Sequence, residues 1–440
     1  MSISTANTVP ADRLPVLVDG ARTAFLESAG LYSPLWSYEL GAQAIAGLMQ
    51  KVTLNPQDLG LVVMGTVLHE TNTTNVAREC MLAAGLPPRI PAYTVAMAGI
   101  SPSVGVVNLC DQILLGRLQA GIAGGTENFS DVPVRLGRGI RRALMKIRQA
   151  RTTAERLKAL SLLSASDFKL DLPSSSDFTT GLTMGEACEA MVRKFGGSRA
   201  DSDAFAAASH ARAIAATAED RFAEQIVPVA IGGVTHLPAD NTARADATAE
   251  TLARLRPVFD RDHGIITAGN ASRFSDGAGA VLMASRGYAL QHGLRQRALI
   301  RDYQLTGVDS LHEEMLLGPA MSIPRLLARN GLGFADIDVW EIHEAFAAQV
   351  LVNRQCMASA EFVRERFGAG LPHGDIPLDK LNIWGGSLSL GNPFAATGVR
   401  LLLTAAQRME TFNQRYAVVS TCAGGGLGAA LLLENPAYAG

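Results

Sequence analysis

The chain has 440 residues, 48% hydrophobic and 18% charged, an ordinary globular composition with length for two or three domains. A formal net charge of −2 gives no global field for nucleic acid, and no apolar run reaches the roughly 18 residues that cross a bilayer. Five scattered cysteines without a Cys-x-x-Cys pair fit a cytosolic chain with free thiols better than a disulfide framework or zinc site, so no metal is expected. The first twenty residues lack a basic region leading into an apolar core, so a cytoplasmic location is expected.

Along the chain, PVLVDGARTAF (15–25) reads as a buried strand and turn, SYELGAQAIAGLMQKV as a helix, and LGLVVMGTVL (59–68) as a second strand. AYTVAMA enters the helical GISPSVGVVNLCDQILLGRL, and AGIAGGTENFSDVP is a strand running into Gly124-Gly125. Alternating strands and helices predict an α/β protein with a buried, mixed or parallel sheet. From Arg135 to Leu160 nine Lys/Arg stand against one acid, Glu155, and an Ala-rich helical stretch follows. This reads as an inserted domain of helices and loops, with the chain returning to the first half at GIITAGNASRFSDGAGAVLMAS (264–285). The last third repeats the opening order: DVWEIHEAFAAQVL, then a glycine-rich loop and helix from LNIWGGSLSLGNPFAATG, then YAVVSTCAGGGLGAALLLE. A duplicated βαβ-type layer is expected, with Gly425-Gly426 in the part of Gly124-Gly125. The expected divisions are 1–130 completed by 260–290, an insertion at 131–259, and a second half at 291–440 that begins its own unit near Ala298.

EIHEAF, GGSLSLGNPFAATG and CAGGGLGAA, in that order, resemble the C-terminal signatures of the thiolase family. DGARTAF, AGGTENFSDVP, TMGEACEAM and ITAGNASRFSDGAGAVLM also have thiolase counterparts in the right order, so the resemblance covers nearly the whole chain. The basic insertion and the HEAF form are most like the type found as the β-subunit of the fatty-acid-oxidation trifunctional enzyme. The resemblance implies a thiolase fold: duplicated five-stranded mixed-sheet layers packed in an αβαβα order, with an inserted loop domain. It implies an acyl-CoA thioester as substrate, no bound cofactor, and a homodimer or homotetramer. It also implies an acyltransferase that makes or breaks a carbon–carbon bond, using a thiolate nucleophile, a proton-transfer group and two sets of donors for thioester oxygens.

Carried over residue by residue, Cys422 matches the family's acid/base cysteine. His343 and the position of Asn392 match donors to a thioester oxygen. Ser272 matches a pantetheine contact, Met184 a pocket-lining residue, and the Gly424 amide an oxyanion hole. Two positions depart. Gly99, in YTVAMAGISPS, stands where the family carries its nucleophilic cysteine, and Asn392 stands where it has a histidine before proline. Asparagine donates hydrogen bonds but accepts no proton as a base. Cys110 lies eleven residues beyond Gly99, roughly 16 Å along a helix, too far to stand in. The expected activity is therefore Claisen, retro-Claisen or aldol-type chemistry without an acyl-cysteine, with ordinary thiolysis disfavoured. Cys422 would move the proton, and the amides of Gly99 and Gly424 would hold an oxyanion. The alternative is a catalytically silent acyl-CoA-binding or scaffolding subunit of a larger complex. The basic segment 135–158 has three functional readings: CoA phosphate contact, docking of a partner subunit, or a membrane surface. Its bland reading is a solvated helix face.

Overall fold

The computed structural model describes residues 10–439. β1 (Pro15–Arg22) and β2 (Leu26–Glu27) are followed by α1 (Ser37–Lys51), β3 (Leu61–Gly65), α2 (Val76–Ala83) and β4 (Ala92–Val95). Then come α3 (Ser101–Leu114) and β5 (Ala120–Glu127). A long excursion carries β6 (Arg135–Leu136), α4 (Arg138–Gln149), α5 (Thr153–Leu160), β7 (Leu170–Asp171), α6 (Met184–Phe195), α7 (Arg199–Ala218), β8 (Val229–Ile231), β9 (Val234–His236) and α8 (Ala249–Ala253). The chain returns with β10 (Ser275–Ser285) and α9 (Arg286–Gln291). The second half runs β11 (Ala298–Gly307), α10 (Gly318–Arg329), β12 (Val339–Ile342), α11 (Ala347–Ala358), α12 (Ala360–Phe367), α13 (Ser387–Leu390), α14 (Phe394–Phe412), β13 (Tyr416–Ala423) and β14 (Leu427–Glu434).

β1, β5 and β10 are buried along their whole lengths, as expected of strands covered on both faces. The first layer is ordered β4-β3-β5-β10-β1, and the second continues β11-β14-β13-β12. The two touch edge to edge only where Val16 and Leu17 face Leu299 and Ala298. Their internal pairings match. β3 runs parallel to β5 as β12 does to β13, while β5–β10–β1 and β13–β14–β11 are antiparallel. The duplicated architecture and the start of the second unit at Ala298 are as expected.

Two details differ from expectation. Among the described residues the second layer has four strands rather than five; what corresponds to β4 is a single parallel bridge between Trp340 and Leu381. The glycine pairs are also not equivalent. Gly124 and Gly125 lie inside β5, where a Cβ would fall 2.2 Å from the Gly279 carbonyl and into that of Ala395 on α14. Gly425 and Gly426 form the left-handed turn between β13 and β14, with φ of 79° and 69°. Close packing selects the first pair and backbone handedness the second, so similar letters hide different causes.

α3 and α14 fill the space between the layers. Val106, Leu109 and Ile113 of α3 and Leu402, Ala406 and Met409 of α14 join Val63, Ala123 and Val281 of one sheet and Val339, Val419 and Leu431 of the other. α1 and α2 cover the outer face of the first layer, and α10 and α11 that of the second. The excursion is tied to the core by a buried bidentate pair, Arg22 to Asp240 at 2.7 and 2.8 Å.

Candidate active site

Three strand ends converge. After β4 the chain turns sharply into α3. Ala98 adopts a left-handed φ of 47°, unusual for a residue with a side chain, and Gly99 follows. The turn is braced by Ser101, whose hydroxyl donates to the Ala98 carbonyl at 2.7 Å and accepts the Met97 amide at 2.8 Å. Ser101 is the first residue of α3. Ile100 and Ala98 pack on Ala423 at the tip of β13, which joins the first half to the second. A Cβ placed on Gly99 would lie 3.8 Å from the Cys422 carbonyl and 3.8 Å from the Ala423 Cβ, ordinary contact distances. The position is open to a side chain that this chain does not have.

Cys422 lies near the C-terminal end of β13, buried, with its thiol pushed up to about 12 by loss of solvent. It is therefore a protonated thiol at rest. β12 lies parallel to β13 with Ile342 opposite Ser420, so His343, just past the end of β12, emerges beside it; its amide donates to the Ser420 carbonyl at 2.9 Å. Sites at the carboxyl ends of neighbouring parallel strands are the rule in α/β sheets. The His343 ring is buried and held neutral, down to about 3, first by desolvation and then by the nearby Arg400 charge. Glu344 points the other way. It accepts from Ser209 at 2.8 Å, Asn382 at 2.7 Å and the Leu388 amide at 3.2 Å, locking the loop that carries His343. Gly386 must be glycine here, since a Cβ would fall 2.1 Å from the Glu344 carboxyl carbon.

Met184 begins α6 behind a capping box, with the Thr183 hydroxyl accepting the Glu186 amide at 3.2 Å and Glu186 accepting the Thr183 amide at 2.7 Å. This places its sulfur 3.3 Å from where a Gly424 Cβ would be. Gly99, Cys422, Gly424 and Met184 thus share one neighbourhood. Among the described residues, the amides of Gly99 and Gly424 donate to no carbonyl in the turns and loops.

Asn392 and Ser272 meet each other. Asn392 Nδ2 donates to Ser272 Oγ at 3.1 Å, and its Oδ1 accepts from Thr397 Oγ1 at 3.0 Å. One amide hydrogen remains for a ligand. Sequence reasoning did not single out Thr397, Ser387 or Arg400, whose contacts cross between elements. It also missed an aromatic cluster beside Asn392. Phe129 stacks on Phe274 at 4.8 Å, and Phe394 meets both rings edge-on at 4.9 and 5.4 Å. The one available signal was three phenylalanines inside otherwise polar or glycine-rich motifs. Cys110 is buried inside α3 with its thiol pushed up, and stands in the interlayer core.

Family models described as the N-terminal and C-terminal domains of thiolase match residues 15–287 and 294–435. The chain belongs to the thiolase family. This thiolase is 40% identical over 433 residues to a probable 3-ketoacyl-CoA thiolase of Caenorhabditis elegans, covering 98% of the chain and 96% of the relative. It is 38% identical over 419 residues to the mitochondrial trifunctional enzyme subunit beta of Mus musculus, covering 95% and 88%. It is 36% identical over 424 residues to a 3-ketoacyl-CoA thiolase of Salmonella typhi, covering 96% and 97%. Among solved structures, the Bacillus anthracis acetyl-CoA acetyltransferase superposes with a TM-score of 0.81 at 28% identity, covering 96% of this chain and 98% of that one. A CoA-thioester enzyme of acyltransferase type follows from this membership. No helix is long and apolar enough to cross a membrane among the described residues.

Proposed function

We propose that this thiolase makes or breaks a carbon–carbon bond in an acyl-CoA thioester without forming an acyl-cysteine. The observation that carries the reading is Gly99: the turn, its brace and the space for a side chain are all present, and the nucleophile is not. Nucleophilic catalysis needs a group that can be acylated. Of the neighbouring thiols, Cys110 is sealed in the core, and Cys422, protonated at rest by burial, serves proton transfer in this reading.

The remaining residues suit an enolate. Its oxygen would be met by the Gly99 and Gly424 amides, or by His343 and the free amide hydrogen of Asn392. Water or a carbonyl partner takes the place of the acyl-enzyme. When the bond breaks, water adds to the β-carbonyl carbon, the acyl fragment leaves as a carboxylic acid, and the Cys422 thiol protonates the α-carbon and regains its proton from that water. When the bond forms, the enolate adds to a carbonyl partner whose oxygen takes the thiol proton, and the α-proton passes to the Cys422 sulfur. A neutral His343 donates a hydrogen bond without adding charge. The relatives named as thiolases support the substrate class, and the two departures at Gly99 and Asn392 support the altered route. A homodimer or homotetramer in the cytoplasm belongs to the same reading. So does a partner subunit of acidic surface on segment 135–158, whose Arg141, Arg142, Lys146 and Arg148 are exposed beside Leu144, Met145 and Leu157.

The test incubates the purified chain with acetyl-CoA in D₂O and, separately, with acetoacetyl-CoA and free CoA. The expected result is deuterium at the α-carbon with at most a trace of thiolysis. Tight acyl-CoA binding with no exchange favours the silent scaffolding subunit instead. An acyl group found by mass spectrometry on Cys110 or Cys422 during turnover overturns the non-covalent route.

A further inference from the structure

Behind His343 a short buried chain of side chains leads away from the site. His343 Nδ1 lies 2.8 Å from Ser387 Oγ, and Ser387 Oγ accepts from Arg400 Nη2 at 3.3 Å. Ser387 and Arg400 are fully buried. A serine hydroxyl carries one hydrogen and two lone pairs, and Arg400, which can only donate, takes one of the lone pairs. The hydroxyl hydrogen then has one acceptor among the described residues, His343 Nδ1. The opposite assignment, with Nδ1–H donating to Ser387, leaves the hydrogen of a fully buried serine unpaired, which is costly. The network therefore selects the tautomer that no single residue specifies.

The charges around the ring agree. Arg400 disfavours a second positive charge on the imidazole. Of the two buried carboxylates nearby, Glu341 is held by Arg408 at 2.7 Å, and Glu344 is occupied by Ser209, Asn382 and the Leu388 amide. The Cys422 and Cys188 thiols are kept protonated by burial. Arg400 forms no ion pair with either carboxylate, and its Nε and Nη1 have no partner among the described residues, so its one hydrogen bond is the one to Ser387.

We propose that Arg400, acting through Ser387, is the positioning residue that holds His343 as a neutral imidazole with its proton on Nε2, ready to donate to a thioester oxygen. This deepens the functional reading of His343 and rests on it. Arg400 itself touches no substrate; it sets the hydrogen-bond direction of a side chain that does.

Imidazole ¹⁵N NMR of the full chain tests the proposal without substrate, with a His343→Gln spectrum to assign the resonance. The expected wild-type ring is neutral between pH 6 and 8, protonated on Nε2 and bare on Nδ1. Ser387→Ala and Arg400→Met should each give a mixture of tautomers. Arg400→Lys, which restores a donor and a charge, should move the ring part-way back. A wild-type ring protonated on Nδ1 overturns the proposal, and so does an unchanged Nε2–H ring in a folded Ser387→Ala. If Arg400→Met does not fold, those two measurements still decide. In a second arm, Ser387→Ala should slow α-proton exchange on acetyl-CoA by about tenfold or more, with KM little changed. Wild-type protein that shows the Nε2–H ring but no exchange refutes the functional reading and leaves the tautomer assignment standing.

Discussion

The two halves of this thiolase share a topology and bring unlike things to the site. The second half arrives with side chains, Cys422 at the end of β13 and His343 just past β12. At the turn after β4 the first half presents Gly99, a position without a side chain, while its Ser272 comes in from the segment that completes this half and is bonded to Asn392. Ala98 keeps a left-handed φ that costs on the order of 1–3 kcal/mol, and Ser101 keeps both hydrogen bonds that hold it there. The same turn leaves the Gly99 amide without a carbonyl partner in the turns and loops among the described residues, and in the proposed reading that amide is what the first half supplies.

The sharpest way to break this comparison is to truncate each half in turn. Cys422→Ala should cut α-proton exchange by about 10²–10⁴-fold, the usual worth of a general acid/base, while leaving the melting temperature near wild type. Gly99→Ala should cost less than about tenfold, because its Cβ meets only ordinary contacts and its amide stays in place. Equal losses in the two variants would mean that the halves are not specialised as described.

The comparison sharpens if the first half can be returned to a side-chain role. Gly99→Cys with Asn392→His should give measurable thiolysis of acetoacetyl-CoA and an acyl group on residue 99, and neither single change should match the pair. The open space at Gly99 predicts little loss of stability. A folded double variant that binds acyl-CoA and forms no acyl-enzyme would show divergence beyond these two positions.

Two buried ion pairs, one from each half, also differ. Arg22–Asp240 is bidentate and joins β1 to the inserted segment, whereas Arg408–Glu341 lies within the second half and leaves Glu341 Oε2 unpaired. Asp240→Asn removes the counter-charge of a fully enclosed arginine and should cost about 3–5 kcal/mol in denaturant unfolding. A loss under about 1 kcal/mol would show that the insertion is held by something else.

The smallest effect concerns pH. His343 is held to about 3 in the folded chain against an ordinary 6.5, so between those values the unfolded state binds more protons. Stability tied to this group is fully present above about pH 6.5 and is lost as pH falls through that window. His210, held to about 4, adds in the same direction, and Glu127, raised to about 8, opposes it. The contribution of His343 is therefore read as a difference. His343→Gln should show a shallower fall in melting temperature from pH 7 to pH 4 than wild type, and parallel curves would remove His343 from the acid response.

Legibility in the sequence followed the range of the interactions. The buried strands and the duplicated order were readable because apolar period and turn residues act within a few positions. Ser272 and Asn392 were readable only as separate positions, and the hydrogen bond between them was not. The fifth strand of the second layer was expected and reduced to one bridge, because whether a short segment such as Lys380–Asn382 makes a ladder depends on its neighbours. The Gly124 and Gly426 pairs looked alike because a glycine letter does not say whether close packing or backbone handedness selected it.

By itself the sequence determined the α/β duplication, the glycine at 99 and the cysteine at 422, which are matters of local order, and its ordered motifs carried the resemblance to the thiolase family. Only the tertiary structure decided that a Cβ at Gly99 would sit against Cys422 and that Glu344 braces a loop rather than facing substrate. It alone decided that Arg400, 57 residues from His343 in the chain, stands one serine away from its ring. Those outcomes depend on which buried donors and acceptors are brought within about 3 Å of each other, and folding sets such distances between residues the sequence keeps far apart.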